Sequence, residues 1–308
     1  MSRYFNQSRQ AFQRSSSVGT EKQADLRRAL QQVTQASEVA ENSPEARLRG
    51  CRKLRLPDNS HGPLICSGSE ITTVALESYR ALRTRLLRAQ SSQTLRSVIL
   101  SSAVGGEGKT LTTANLALCC SRLPDFRVLA IDADLRTRGL TRLLGDPSGP
   151  GLSNVLGGQT DYEDAIAVTD HQNFYVMGAG SSSTPASELY SGNRWKELIA
   201  WASQTFRLIL VDSPPVLPVA DFEQIVGACD GVLMVVRAQR TPRELLKKMA
   251  DRVDQKKVLG VVFNGVASNE SSQYASDYYS DAYAAAPSSS TETAPGLSGE
   301  VESAQVTR

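Results

Sequence analysis

The sequence predicts a doubly wound α/β fold: a mostly parallel sheet with helices on both faces, flanked by disordered N- and C-terminal segments. Three observations carry this. Between about residues 70 and 268 apolar strand-like runs alternate with helical patterns, the signature of strands joined by helical crossovers. Two runs, Gly231 to Arg237 and Val258 to Phe263, are almost continuously apolar, as expected of strands covered on both faces. Two others, Val128 to Asp132 and Leu208 to Asp212, end in acid, where carboxylates at the C-terminal ends of parallel strands face a ligand crevice.

The expected strands lie near 97–102, 127–132, 173–178, 207–212, 231–237 and 258–263. Residues 1–68 are rich in Ser, Gln and Arg and read as a mostly disordered arm, with one helical pattern at Leu26, Leu30 and Val33. Its basic stretch, Arg47, Arg49, Arg52, Lys53 and Arg55, suits either a solvated linker or contact with anionic lipid or an acidic partner. The core belongs to residues 69–269. Residues 270–308 form a polar tail holding Tyr274, Tyr278, Tyr279 and Tyr283, and its Ala, Ser, Pro and Thr-rich end cannot build a core.

The chemistry begins at Ser101-Ser102-Ala103-Val104-Gly105-Gly106-Glu107-Gly108-Lys109-Thr110, between an apolar strand and the helical run Leu111 to Leu118. Small residues here free successive backbone N–H groups to face an anion, and the helix N-terminus adds partial positive charge. Such a loop binds phosphates through Gly105, Gly106, Glu107, Gly108, Lys109, Thr110 and Leu111, with Lys109 on the terminal phosphates and the Thr110 hydroxyl on Mg²⁺. The first glycine of the usual pattern is Ala103. Asp132 and Asp134 in the first acidic stretch, and Asp212 in the second, supply carboxylates beside the loop for Mg²⁺ and its waters.

Composition sets the outer limits. With 308 residues and a formal charge of +2, the chain has no reason to be a dedicated nucleic-acid binder. The cysteines, Cys51, Cys66, Cys119, Cys120 and Cys229, lack metal-ligand spacing, and with His61 and His171 alone beside them they read as buried or idle thiols of a reducing compartment. No apolar run approaches the roughly 20 residues of a membrane span, and the N-terminus, with Arg3, Gln7, Arg9 and Gln10, has no signal-peptide core. A cytoplasmic chain that works at the inner membrane surface through a partner fits these limits.

These motifs together resemble the bacterial tyrosine kinases that autophosphorylate and regulate export of extracellular or capsular polysaccharide, relatives of the MinD and ParA ATPases. The resemblance covers about residues 70–283. It rests on the phosphate loop, on Asp132-Ala133-Asp134-Leu135-Arg136 as a D-x-D-x-R motif, and on Asp212-Ser213-Pro214-Pro215 as a D-[ST]-P-P run. It also rests on Glu77, Arg80 and Arg83 as the E-x-x-R-x-x-R helix through which members form rings, and on the tyrosine cluster. MinD and ParA proteins carry a lysine where this chain has Val104, which weakens a positioning-ATPase reading, and the Pro common in the kinases is replaced by Gly105.

The resemblance implies ATP and Mg²⁺, with Thr110 and Asp132, and Asp212 directly or through water, around the metal. Lys109 would neutralise phosphate charge in the loose transition state of phosphoryl transfer. Asp134 is favoured to orient or deprotonate the tyrosine hydroxyl, although spacing alone leaves Asp132 and Asp134 both open as the base. Arg136 is unassigned between phosphate contact and loop bracing, and Asn264 between adenine contact and a turn cap. Tyr274, Tyr278, Tyr279 and Tyr283 are the expected phosphoacceptors, served between subunits of a homo-oligomeric ring. A membrane chain-length-determinant protein as activator and a protein-tyrosine phosphatase are the implied partners. The alternatives are a MinD/ParA-like positioning ATPase and a non-catalytic, ATP-binding assembly module of a polysaccharide export complex.

Overall fold

The computed structural model describes residues 44–57, 64, 66, 74–92, 94–146 and 148–266. In chain order the elements are α1 (Pro44–Arg47), β1 (Arg52–Leu54), α2 (Val74–Ser92), β2 (Ser97–Ser102), α3 (Lys109–Ser121) and β3 (Val128–Asp132). Then come α4 (Gly139–Leu143), α5 (Leu152–Leu156), β4 (Ile166–Thr169), β5 (Phe174–Met177), α6 (Ala186–Tyr190), α7 (Arg194–Thr205) and β6 (Leu208–Asp212). The remainder are α8 (Asp221–Gly227), β7 (Gly231–Arg237), α9 (Arg243–Arg252) and β8 (Val258–Asn264). The strands form one eight-stranded sheet in the order β1-β4-β5-β3-β6-β2-β7-β8. Every pairing is parallel except β4 with β5.

The central strands β2, β3 and β6 are buried at every residue. Because successive side chains leave a strand on opposite faces, each apolar run serves two cores. Ile99, Leu129, Ile131, Ile209 and Val211 pack on one face with Trp195, Leu198, Phe206 and Phe222 from α7, its C-cap and α8. Val98, Leu100, Val128, Ala130, Leu208 and Leu210 pack on the other with Leu116 and Leu118 of α3 and Leu76 and Leu86 of α2. The expected doubly wound architecture is therefore present, and it explains why these strands show no polar alternation.

Three differences from the sequence reading have physical causes. β8 is an edge strand, so Val261 and Phe263 are 40% and 61% exposed rather than covered on both faces. β4 was not anticipated; it is held antiparallel to β5 by the turn between them, where the Thr169 hydroxyl donates to Phe174 O (3.0 Å) and accepts from His171 N (3.2 Å). Finally, the described part of the segment read as a disordered arm belongs to the domain. Leu48, Cys51, Leu54, Leu56, Leu64 and Cys66 are buried, and β1 joins the sheet parallel to β4. The helical pattern at Leu26 to Val33 and the tyrosine tail lie outside the described residues.

Part of the basic stretch is spent internally. Arg52 grips Asp146 with two parallel hydrogen bonds of 2.7 Å, and Arg47 Nη1 donates to the Thr205 hydroxyl (3.5 Å). All the cysteines are buried and free, as their spacing suggests. Asp146 is 5% exposed whereas the Arg52 side chain is 31% exposed, so the pair is partly solvent-screened. Arg52→Ala strands a buried carboxylate and is expected to lower stability by about 2 kcal/mol, measured as the shift in the urea unfolding midpoint. An unchanged midpoint would show that the Arg52–Asp146 pair adds nothing to the fold.

Candidate active site

The phosphate loop leaves the C-terminal end of β2 and enters α3 at Lys109. Two glycines make the path possible: Gly106 has φ 81° and Gly108, the N-cap of α3, has φ 94°, a region where side chains are strained. Gly105 needs no such freedom: it is not among the positive-φ glycines and a Cβ there would meet nothing. A Cβ on Gly108 would collide with Asn264 Nδ2 at 1.8 Å. That amide donates to the Glu107 carbonyl (3.0 Å), so Asn264, at the end of β8, braces the loop from its back.

Glu107 is buried at 3% exposure and is turned inward. Its Oε2 accepts from Ala103 N (3.0 Å) and its Oε1 accepts from the Thr241 hydroxyl. The carboxylate thus closes the loop on itself and ties it to the turn after β7, a bracing role that nothing in the motif indicated.

Asp132 and Asp212 end the neighbouring strands β3 and β6 and are paired across them in register. Asp132 Oδ2 accepts from the Thr141 N–H (2.7 Å) and hydroxyl (2.6 Å). Its Oδ1 and both oxygens of Asp212 are buried without a hydrogen-bond partner of ordinary geometry. Burial raises the Asp132 carboxyl above the usual range against the pull of Thr141. It raises Asp212 to about 7, with Lys109 and the Thr110 hydroxyl offsetting burial only in part. Lone pairs that cannot reach water and are not matched by donors are what a hard divalent cation satisfies, and one or two carboxylates beside a Thr hydroxyl and phosphate oxygens suit Mg²⁺. The residues fit the metal.

Lys109 Nζ lies 3.3 Å from Asp134 Oδ2, 3.5 Å from the Thr110 hydroxyl and 4.0 Å from Asp212 Oδ1. Asp134 Oδ1 accepts from Thr137 N (3.1 Å), which fixes the carboxylate toward the loop. Arg136 reaches the buried Asp221 at the start of α8 through Nε and Nη2, each at 3.0 Å. It braces the turn after β3. The structure thus brings Lys109, Thr110, Asp132, Asp134, Asp212 and Asn264 together. Three supporting residues were missed: Thr241, Thr141, and Tyr190, which is buried and donates to Ala133 O (2.8 Å). None stands in a recognisable motif.

The helix-surface residues divide. Glu77 and Arg80 form an exposed ion pair within α2, whereas Arg83 turns inward and donates to Cys119 O (2.8 Å) at the end of α3. Burial pushes the Tyr79 hydroxyl up to about 12 against hydrogen bonds from Thr112 and Asn115 of α3.

Because Asp212 titrates near 7 in the fold and near 4 in an unfolded chain, the native state keeps a proton that the unfolded chain has released. Metal-free stability therefore falls as pH rises from about 4 to about 7. Asp212→Asn removes this penalty but also deprives Lys109 of a countercharge. It is expected to stabilise the metal-free protein by about 1–2 kcal/mol at pH 8 and by less toward pH 5. Urea unfolding in chelator at the two pH values measures this, and a destabilised variant at pH 8 would refute the assignment of Asp212 as strained.

Residues 98–289 match the CobQ/CobB/MinD/ParA nucleotide binding domain. Over 200 residues the chain is 31% identical to the tyrosine-protein kinase YwqD of Bacillus subtilis, a match covering 64% of this chain and 84% of that protein. Over 184 residues it is 31% identical to the succinoglycan biosynthesis transport protein ExoP of Rhizobium meliloti, covering 58% of this chain and 23% of ExoP. The chain spans between 23% and 31% of several longer curated relatives. Among solved structures, the kinase domain of the Escherichia coli tyrosine kinase ETK superposes with a TM-score of 0.60 at 27% identity, covering 72% of this chain and 80% of that one. The chain belongs to the CobQ/CobB/MinD/ParA nucleotide-binding family and, within it, to the bacterial tyrosine-protein kinases.

Proposed function

We propose that this chain is an ATP-dependent protein-tyrosine autokinase that regulates synthesis and export of an extracellular or capsular polysaccharide. The observation that carries the reading is Lys109 held between Asp134 and Asp212 at the mouth of the phosphate loop. An ammonium in that position can exchange its carboxylate partners for the terminal phosphates of ATP, releasing Asp134 to face an incoming hydroxyl. Loop amides from Gly106, Gly108 and Thr110 point the nucleotide, and Asn264 supports the loop with its amide spent on the Glu107 carbonyl. Thr110 and Asp132, with Asp212 directly or through water, would hold Mg²⁺, which would supply charge neutralisation on the phosphates.

A phenol of pKa about 10 is protonated at neutral pH, so a carboxylate beside the acceptor oxygen assists the transfer. Asp134 fits that task better than Asp132, which is tied to Thr141 through Oδ2 and would hold Mg²⁺ through its unsatisfied Oδ1, whereas Asp134 Oδ2 would be released once Lys109 turns to phosphate. The acceptors are Tyr274, Tyr278, Tyr279 and Tyr283 of a neighbouring copy in a ring. A membrane chain-length-determinant partner recruits and activates the kinase, and a protein-tyrosine phosphatase reverses it. Among the described residues no helix is long and apolar enough to cross a membrane.

Incubation with Mg²⁺ and ATP, with the activator's cytosolic segment supplied, is expected to place phosphate on the tail tyrosines, and Lys109→Met to abolish it. Mixing the Lys109→Met chain with one whose four tail tyrosines are Phe should restore phosphotyrosine; silence in the mixture would reject transfer between subunits, and ATP turnover with no phosphotyrosine in any arm would favour an ATPase. Ring formation is expected to fail in the double variant Glu77→Ala/Arg80→Ala with an unchanged unfolding midpoint. Arg83→Ala instead is expected to destabilise α2 against α3 by about 1 kcal/mol, so calorimetry and light scattering separate the two roles.

A further inference from the structure

We propose that the cleft beside Asp134 reads an acidic residue three positions C-terminal to the acceptor tyrosine, presented by the tail of a second copy of this chain. The inference rests on the kinase reading above. The cleft, about 350 Å³, lies between the turn after β3 and the loop after β5, and its wall begins at Leu135, next to Asp134. This is the crevice outside the carboxyl ends of the strands where open α/β sheets bind ligands. One wall presents Arg136 and Arg138 and the other presents Ser181, Ser182 and Thr184, and none of the lining residues is acidic.

The turn that carries the arginines has a defined geometry relative to the reacting centre. Arg138 N donates to Asp134 O at 2.7 Å, so Arg138 stands one helical turn beyond the proposed base, in a left-handed conformation with φ 51°. Arg136 spends part of its guanidinium on Asp221, but its side chain is 52% exposed. It keeps donors for a second carboxylate, which a planar five-donor fork permits.

The tail carries a matching pattern twice. Tyr274-Ala275-Ser276-Asp277 and Tyr278-Tyr279-Ser280-Asp281 each place an aspartate three residues after a tyrosine. An extended chain covers about 10 Å in three residues, the reach that this register asks of a peptide between Asp134 and the arginine wall. Ser181, Ser182 and Thr184 offer hydroxyls to the peptide backbone on the opposite side. Charge complementarity thus selects both register and direction: the acid anchors, and the tyrosine three residues before it meets Asp134.

The test uses the full chain with its four tail tyrosines replaced by Phe as kinase, the activator's cytosolic segment, and synthetic peptides spanning residues 272–283 as acceptors. Peptides with Asp277→Asn and Asp281→Asn are expected to show a KM raised about tenfold, the scale of one lost charge-assisted hydrogen bond, with kcat unchanged. Arg138→Glu should impose the same KM rise on the native peptide and favour the Asp277→Lys/Asp281→Lys peptide, while ATP turnover without peptide stays at the level of the parent. A structural defect would lower kcat for every acceptor and could not invert the preference. KM values indifferent to peptide charge overturn this inference and leave the kinase reading intact. Failure of every acceptor, including the full Lys109→Met chain, removes both.

Discussion

Negative charge forced together at the C-terminal ends of two adjacent strands organises this protein. Asp132 and Asp212 are held side by side by the register of β3 and β6, deep enough that both carboxyls are pushed up by burial. An arrangement of this kind destabilises the empty fold and is tolerated because the surrounding core fixes it, as is common where stability is given up for function. The compensation comes from the loop opposite: Lys109 bridges Asp134 and Asp212, and Thr141 satisfies one oxygen of Asp132. The oxygens left over are those that a cation would complete.

That requirement explains the effort spent on holding the loop still. The loop carries two left-handed glycines and would be conformationally loose by itself. Glu107 ties it to Ala103 and to Thr241 beyond β7, and Asn264 presses on Gly108 while bonding to the Glu107 carbonyl. Thus β7 and β8, which contribute no carboxylate to the centre, hold the loop that faces it. Arg136 and Tyr190 perform the corresponding service for the turn after β3, through Asp221 and the Ala133 carbonyl.

The same economy links the surface to the centre. α2 is packed on α3, the helix that begins at Lys109, through Leu76, Leu86, the Tyr79 hydroxyl against Thr112 and Asn115, and Arg83 on Cys119 O. A helix that presents Glu77 and Arg80 outward while gripping α3 inward places its exposed face and the phosphate loop on one packed unit.

Read alone, the sequence determined the parts whose signal is local: six of the eight strands to within about a residue or two, the glycine-rich loop after β2, and the placement of Lys109, Thr110, Asp132, Asp134 and Asp212 beside it. Strand length, glycine placement and a terminal carboxylate are each written in consecutive residues. Tertiary structure alone decided that β1 and β4 belong to the sheet, since each is fixed by pairing with a neighbouring strand rather than by a pattern of its own. It decided that β8 is an edge, because coverage of a strand depends on what packs against it. It also decided that Glu107, Arg83 and Asn264 face inward as braces. Their partners, Thr241, Cys119 and Glu107, lie 134, 36 and 157 residues away in sequence, and for the first two a charged side chain looks the same in a sequence whether it meets solvent, a ligand or a buried backbone group.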